Sequence, residues 1–395
     1  MGGTGYILAG RFIDGSGGKV RRNILLKVKD GIIIALQAAA DLPRKASVDD
    51  LSHCTVVPAL VDCSVSLLHS PSVNGGKASL ASSEGAEVAA QKVLLERHIR
   101  YCFAHGILGL VVNDKDKQQL LQKYRGKRGQ PSGIDIRTAY DGNGNRNGNR
   151  NGNCNGTEAD CLRLIFSSNI EEEAGGSLQL NHENLCRILQ NRGEKKAIVV
   201  ANGPQRVAEA LGAGCDAIEQ GYGMGEANLR IMAEKDVLWI PSAVRAKNAL
   251  DGSSGGGSVC CRFSTRYVAP GEPVPGAEAF WKKILAEQLA QLRLARELGV
   301  KIAVGTGAGS VGILHGESVV DEIKLFIKAG YSLEEGIQCA SKNGADFFGM
   351  QHGLLAVGHR ATFLLTRGTP GQLPRKLSYL EGISIDGQPS RDYKK

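Results

Sequence analysis

Val57-Pro58-Ala59-Leu60-Val61-Asp62-Cys63-Ser64-Val65-Ser66 is an apolar stretch that ends in small polar residues. It contains most of the first of eight short, largely apolar segments that we predict to be strands. These segments are Thr55–Asp62, Ile107–Asn113, Ile134–Thr138, Cys161–Phe166, Ala197–Ala201, Cys215–Glu219, Val237–Ile240 and Lys301–Gly305. Short apolar runs of this kind are typical of strands that are buried on both faces, as in a parallel sheet.

Helices are predicted between several of these strands. Two of them span about Glu84–His105 and Ala277–Leu298, each with apolar side chains along one face and a glycine after its end. Another helix begins at Ser332, and the spacing of Ser332 and Glu335 is that of a capping box. Alternating strands and helices favour right-handed crossovers, and eight such units fit a TIM-like (β/α)8 barrel of the α/β class.

The two ends of the chain differ from this middle part. Strands are predicted at Tyr6–Phe12, Asn23–Lys29 and Gly31–Leu36, and again at Ala361–Thr366. We therefore predict a small β-sandwich domain composed of residues 1–56 and 353–395, and a barrel domain of residues 57–352. Within the barrel, residues 142–156 are almost entirely Gly and Asn, which predicts a disordered insertion.

The composition excludes several classes of protein. The chain has 395 residues, a net charge of +8 and 42% hydrophobic residues. It contains no run near the roughly 18 apolar residues of a membrane helix, and neither a signal peptide nor a nucleic-acid-binding module is recognisable. We therefore expect a cytoplasmic protein that has no membrane or nucleic-acid partner.

Several segments, in order along the chain, resemble the amidohydrolase superfamily. The opening strands include Gly10-Arg11-Phe12-Ile13-Asp14-Gly15, and two later segments are similar to the family's sixth and eighth barrel strands. Those two are 208–221, which ends in Ala217-Ile218-Glu219-Gln220-Gly221, and Val304-Gly305-Thr306-Gly307-Ala308-Gly309-Ser310. The closest branch contains imidazolonepropionase-like and prolidase-like hydrolases. The resemblance implies the barrel fold, a homo-oligomer and metal-dependent hydrolysis of C–N bonds with zinc or another divalent metal.

The same resemblance assigns metal ligands to positions that hold other residues here. The superfamily uses four histidines and an aspartate, often with a carboxylated lysine, at the C-terminal ends of the strands. The residues in those positions are Ser64 and Ser66 on strand one, Arg163 on strand four, Val200 on strand five, Gln220 on strand six and Gly307 on strand eight. Hydroxyl and amide groups are weak ligands, valine and glycine have no donor, and arginine is always cationic. We therefore expect no catalytic metal and no other cofactor.

Other polar residues allow alternative sites. His98 and His105 lie seven apart on a helix that is expected outside the barrel, and His69 is most simply a loop histidine that bonds to backbone. Cys63 is a possible nucleophile, but strand alternation turns it towards packing. Glu219 is expected to be structural, and no base beside Ser64 or Ser66 is identifiable from the sequence.

The substituted centre is therefore predicted to be a polar, mildly cationic pocket. Arg163 partly fills the place of the metal, and Ser64, Ser66 and Gln220 bond to it, to water or to a ligand. Thr306 and His315 complete the set of pocket candidates. Such a pocket suits a carboxylate or amide group.

Two functions are compatible with this pocket. The first is a non-catalytic amidohydrolase-like protein that binds a small molecule or acts as a scaffold, without a metal centre. The second is a hydrolase that cleaves non-peptide C–N bonds, in a cyclic amide, lactam or dipeptide-like substrate, by a metal-independent mechanism.

Overall fold

The structure is a computed structural model that describes residues 4–43, 46–71, 84–114, 121, 133–141, 159–167, 180–253 and 275–393. The Gly/Asn insertion predicted at 142–156 lies outside these residues. Among the described residues, the strands are β1 Thr4–Phe12, β2 Arg21–Lys29, β3 Ile32–Ala38, β4 Val48–Pro58, β5 Leu60–Val65, β6 Ile107–Val112, β7 Asp135–Asp141, β8 Cys161–Ile165, β9 Lys196–Ala201, β10 Ala217–Gln220, β11 Leu238–Ile240, β12 Phe363–Arg367, β13 Leu380–Ile385 and β14 Gln388–Pro389. The α-helices are α1 Glu84–Ala104, α2 His182–Gln190, α3 Pro204–Gly212, α4 Glu226–Glu234, α5 Ala243–Ser253, α6 Ala277–Leu298, α7 Glu317–Lys328, α8 Leu333–Cys339 and α9 Lys342–Phe348.

Both chain ends contribute to one sheet, in the order β14-β13-β12-β4-β1-β2-β3. Strand β4 pairs in parallel with β1 and antiparallel with β12, with Pro58 opposite Phe363. Phe12, Leu26 and Val56 belong to the apolar core of this domain. The prediction of a β-sandwich domain built from both ends is confirmed.

The other sheet is the barrel. Strands β5 to β11 are parallel and lie side by side in chain order. Residues 301–308 close it as an extended segment between β11 and β5, with Ala303 N donating to Trp239 O over 2.9 Å and Cys63 N donating to Val304 O over 2.8 Å. Gly307 in this segment and Gly309 just after it adopt positive φ angles, which interrupts a regular ladder. The predicted α/β class with a TIM-like barrel is confirmed.

Two predicted strands differ from the structure. Lys301–Gly305 was expected to be a regular strand, but it is an extended segment that has only an isolated bridge, between Trp239 and Ile302. Thr55–Asp62 was expected to be a single strand, but the structure divides it into the end of β4 and the start of β5. Pro58 has no backbone N–H and therefore cannot continue the ladder in both directions. The chain changes sheets directly after it.

The lower half of the barrel interior is a packed apolar core. Its side chains come from nearly every strand: Val61, Cys63, Val111, Ala139, Cys161, Ile198, Ala217, Leu238, Ile240 and Ala303. Ala345 and Met350, within and just after α9, close the core from below. Polar chemistry is therefore confined to the C-terminal ends of the strands, here called the mouth, as in other barrels of this type.

The predicted helices are confirmed. Helix α6 has the predicted bounds, and α1 ends one residue before the predicted His105. The capping box is also present, since the Ser332 side chain accepts from Glu335 N and the Glu335 carboxylate accepts from Ser332 N. No α-helix in the described part of the chain combines the length and the apolar character that a membrane span requires.

Candidate functional site

A buried ion pair occupies the mouth of the barrel. Arg163, in the middle of β8, directs two donors at Glu219 on β10, with Nε–Oε2 at 2.6 Å and Nη2–Oε1 at 2.8 Å. The Arg163 side chain is 14% exposed and that of Glu219 only 1%. A two-pronged arginine–carboxylate contact of this kind is among the strongest and most directional that side chains form.

Ser64 joins this pair from the first barrel strand. Its hydroxyl donates to Glu219 Oε1 over 2.8 Å and accepts from Asn113 Nδ2 over 2.8 Å. Burial alone would raise the pKa of Glu219, but the Arg163 charge and hydrogen bonds and the Ser64 hydroxyl outweigh burial and hold that pKa below its ordinary value. Glu219 is therefore an ionised carboxylate at neutral pH, with both oxygens engaged.

Asp62 and Thr306 form a second buried contact beside the pair. Thr306 donates to Asp62 twice, from its backbone N over 2.9 Å and from its hydroxyl over 2.6 Å, and Ser64 N donates over 3.2 Å. Burial raises the pKa of Asp62 to about 6, although these hydrogen bonds oppose the change. Thr306 thus tethers the closing segment 301–308 to β5.

A second arginine stands at the mouth, on the first turn of α5. A Cβ added to Gly307 would lie 3.1 Å from Arg245 Nη1 and 3.2 Å from its Cδ. The Arg245 side chain therefore lies over Gly307, in the space that a longer side chain at that position would occupy. Its charge also contributes to the lowered pKa of Glu219.

Gln220 and Val200 both have neighbours on the adjoining strands and the turns that follow them. Gln220 is a non-glycine residue with φ of 71°, and its side-chain oxygen accepts from Asn202 Nδ2 over 2.7 Å. Val200 pairs with Glu219 on the neighbouring strand and is 1% exposed. At these two positions an amide and an isopropyl group line the wall beside the ion pair.

Ser66 belongs to a different group, centred on Asp114. The Ser66 hydroxyl contacts Asp114 Oδ1 and lies 2.7 Å from His69 Nδ1. Asp114 Oδ2 also accepts from Leu67 N over 2.7 Å and from Leu68 N over 3.2 Å. The hydrogen bond to Asp114 raises the pKa of His69 despite its partial burial. His69 was expected to bond to backbone, but its ring contacts the side chains of Ser66 and Asp114. A possible base therefore lies beside Ser66, although none was identifiable from the sequence.

His315 packs against residues 66–69, which follow β5. Its ring stacks on His98 with centroids 3.7 Å apart, and its Nε2 lies 2.6 Å from Ser66 O. Burial, and secondarily the neighbouring His98, lower the pKa of His315 to about 3. His315 is a neutral imidazole that supports the loop backbone.

Cys63 lies in the apolar core below the mouth and is 1% exposed. Burial raises the pKa of its thiol well above the ordinary value, and Asp62 adds to the effect. A thiol that stays protonated is a poor nucleophile. The packing role expected for Cys63 agrees with this position.

The predicted pocket residues thus separate into two groups. Ser64, Arg163 and Thr306 surround Glu219 and Asp62, whereas Ser66 contacts Asp114 and His315 contacts the Ser66 carbonyl. The hydrogen bonds of Ser64, Ser66 and Gln220 described here do not go to Arg163. The guanidinium instead pairs with Glu219, a residue that we had expected to be merely structural.

The donors at the mouth do not suit a divalent cation. Glu219 and Asp62 already direct both oxygens at protein donors, and a cation bound to Glu219 would face the fixed charge of Arg163. Across the described ranges, no three His, Cys, Asp or Glu side chains form a group that could hold a metal ion.

Comparison with known proteins agrees with this architecture. The model of the amidohydrolase family matches residues 194–390, which include β9 to β11 and the closing segment. The chain belongs to the amidohydrolase superfamily. No curated protein matches the sequence significantly.

Solved structures share the fold of this amidohydrolase over its whole length. A Xaa-Pro dipeptidase with bound methionine in its active site is 18% identical, with a TM-score of 0.77 over 98% of this chain and 99% of that chain. Ochratoxinase from A. niger is 18% identical, with a TM-score of 0.75 over 98% and 96%. Molinate hydrolase is 14% identical, with a TM-score of 0.72 over 99% and 95%. At these identities the likeness establishes the fold alone.

Proposed function

We propose that this amidohydrolase has no metal centre and binds a small polar ligand at the barrel mouth without hydrolysing it. The ligand carries a carboxylate or amide group. The observation that supports this function is the buried ion pair of Arg163 and Glu219, with Ser64 bonded to it.

Electrostatics favour this proposal. A guanidinium cannot lose its charge at physiological pH, so it neutralises Glu219 permanently, as a bound cation would. Because a second cation at the same place would be repelled and would find the carboxylate oxygens occupied, the ion pair and a metal exclude each other.

Among the described residues at the mouth, the general base that the superfamily resemblance implies is also missing from its position. Gly307 stands in the position for which the superfamily resemblance implies a general base, and glycine cannot accept a proton. Lewis-acid polarisation and general-base activation of water would then both be missing from that position. These substitutions favour binding without turnover.

The test combines elemental analysis with ligand-dependent unfolding. Protein incubated with zinc and then dialysed is expected to carry far less than one zinc per chain, and a chelator is expected to leave its melting midpoint unchanged. Amides, lactams and dipeptides are screened in parallel, because a ligand that binds only the folded state raises the midpoint. A full complement of tightly held zinc contradicts the proposal.

A second candidate is the metal-independent hydrolase of C–N bonds, and one contact favours it. Ser66 Oγ lies 2.7 Å from His69 Nδ1, within reach for proton transfer. Asp114, however, approaches the same nitrogen at 3.3 Å, so it does not orient His69 from the opposite ring nitrogen, as the acid of a catalytic triad does. Turnover of a lactam or dipeptide that disappears in Ser66→Ala and persists in Ser64→Ala would support this candidate over the first.

A further inference from the structure

The feature that the proposed function leaves unused is the side-chain amide of Asn113, the first residue after β6. Its Nδ2 donates to Ser64 Oγ over 2.8 Å, so the amide reaches the residue that supports the ion pair. Its Oδ1 is shielded from solvent and has no hydrogen-bond donor among the described residues. A shielded acceptor of this kind is unfavourable, because the bond that it makes to water in the unfolded chain is not replaced.

The charge of Glu219 fixes the orientation of this amide. Glu219 is paired with a guanidinium and ionised, so it can only accept, and the single hydrogen of the Ser64 hydroxyl points at its Oε1. Towards Asn113 the hydroxyl then offers only a lone pair, and the atom that faces it has to be a donor. Turning the amide over would bring two acceptor oxygens into contact. Asn113 Oδ1 therefore cannot find its donor in Ser64.

Neighbouring acceptors at the mouth differ in this respect. Gln220 Oε1 accepts from Asn202 Nδ2 over 2.7 Å, and Asn202 Oδ1 accepts from Tyr222 N over 3.0 Å. Both oxygens of Glu219 also accept from protein donors. Asn113 as a whole is only half-buried, so its oxygen lies close to the surface of the mouth and not in the apolar core. Such an oxygen is placed to accept from a molecule that enters the mouth.

We infer that Asn113 Oδ1 accepts a hydrogen bond from an N–H group of the ligand, which makes the ligand a primary or secondary amide and not a carboxylate. This inference rests on the proposed binding function and narrows its ligand class. A carboxylate, an ester and a tertiary amide carry acceptors only, whereas a primary or secondary amide supplies the missing donor. The amide is also uncharged, so it is not repelled by the carboxylate of Glu219 and does not compete for Arg163.

The experiment uses the full chain and three probes of similar size: 2-piperidone, δ-valerolactone and pentanoate. The lactone has the ring of the lactam with an oxygen in place of the N–H group, and pentanoate is a carboxylate. Binding is measured by calorimetry and by the melting midpoint for the wild type and the variants Asn113→Leu and Asn191→Leu. Leucine has nearly the shape of asparagine and no acceptor, and Asn113→Ser replaces this variant if it does not fold. Asn191 is the matched control, because its Nδ2 also donates, to Arg187 O over 2.8 Å, but at the end of α2, away from the mouth.

The lactam is expected to bind the wild type and Asn191→Leu about tenfold to a hundredfold more tightly than the lactone or pentanoate. In Asn113→Leu this advantage is expected to disappear, so that the lactam and the lactone bind within about threefold of each other.

Three results would overturn the inference and leave the binding function standing. They are equal binding of lactam and lactone by the wild type, tighter binding of pentanoate than of the lactam, and an unchanged preference for the lactam in a folded variant at Asn113. A wild type that binds none of these probes, and no member of the amide, lactam and dipeptide screen, overturns the binding function and this inference together.

Discussion

Two buried glutamates of this amidohydrolase differ in what surrounds them. Glu219 in the barrel mouth has a guanidinium and a hydroxyl as partners, and its pKa lies below the ordinary value. Glu322 on α7 accepts a hydrogen bond from Val244 N through Oε1, while its Oε2 has no hydrogen-bond partner among the described residues. Burial raises the pKa of Glu322 to about 8. The comparison shows that two equally buried carboxyl groups can differ in ionisation because of the charges and hydrogen-bond donors that surround them.

Of the changes considered, removal of Arg163 is expected to have the largest effect on stability, because it takes away the cation that distinguishes Glu219 from Glu322. Arg163→Met leaves Glu219 as a buried carboxylate without its paired guanidinium, and we expect a loss of about 3–5 kcal/mol in the free energy of unfolding at pH 7. Urea unfolding measures this loss. The double variant Arg163→Met with Glu219→Leu is the control, and it is expected to recover most of the stability, since no charge then remains buried. A loss below about 1 kcal/mol in the single variant would contradict the role of the ion pair.

The second-largest effect is expected in the pH dependence of stability, which should have opposite signs for the two glutamates. Because the folded pKa of Glu322 is raised, the folded state binds more protons than the unfolded state between the ordinary value of 4.5 and about 8. Stability is therefore lost as the pH rises through this window, by on the order of 1 kcal/mol per pH unit. The lowered pKa of Glu219 has the opposite sign: its contribution is present above 4.5 and lost as the pH falls through the lowered value.

The measurement is the difference between the unfolding free energies of the wild type and Glu322→Gln from pH 5 to pH 8. Glutamine keeps an acceptor for Val244 N and cannot ionise, so the difference is expected to move in favour of the variant as the pH rises. Glu334→Gln at the start of α8 serves as a control, since Glu334 is only half-buried and also accepts a backbone hydrogen bond, from Val20 N over 3.4 Å. A difference that stays constant with pH would show that Glu322 does not titrate in this range.

Ser64→Ala is expected to have the smallest effect. It removes one of the three hydrogen bonds that Glu219 accepts, and it leaves Asn113 Nδ2 without this partner. We expect a loss of about 1–2 kcal/mol in the free energy of unfolding, measured by urea denaturation. Ser16→Ala, at an exposed hydroxyl, is the control and is expected to stay within about 0.5 kcal/mol. If both variants lose the same amount, the Ser64 hydroxyl does not support the ion pair.

Much of the fold could be predicted from the sequence because its signals are local. Apolar runs predicted most of the strands, and the Ser332–Glu335 spacing and the glycine after Leu298 predicted helix ends. The division at Pro58 was missed, since residues 56–61 are apolar throughout and the two halves are separated only by their partners. Pro58 pairs with Phe363 on β12, whereas Leu60 pairs with Ile107 on β6.

The candidate site was less predictable, because its interacting residues are distant in sequence and are brought together only by the order of the strands in the barrel. Arg163 and Glu219 lie on either side of β9 and are 56 positions apart in sequence. A cation on a buried strand requires a carboxylate, and this rule would have selected Glu219. Nothing in the sequence indicated Arg245, because its position depends on the space above Gly307.

The pairing of β4 with β12 has a consequence for biosynthesis. Pro58 and Phe363 are register partners, so the barrel lies between two strands that must find each other across roughly 300 residues. At about 5–20 residues per second, a ribosome needs roughly 15–60 seconds to make that stretch. Throughout this time one edge of β4, with Val56 and Val57, has no neighbouring strand, and unpaired strand edges promote aggregation. The nascent chain is therefore expected to depend on a chaperone, or on slow collapse of β1 to β4 alone, until the last strands emerge.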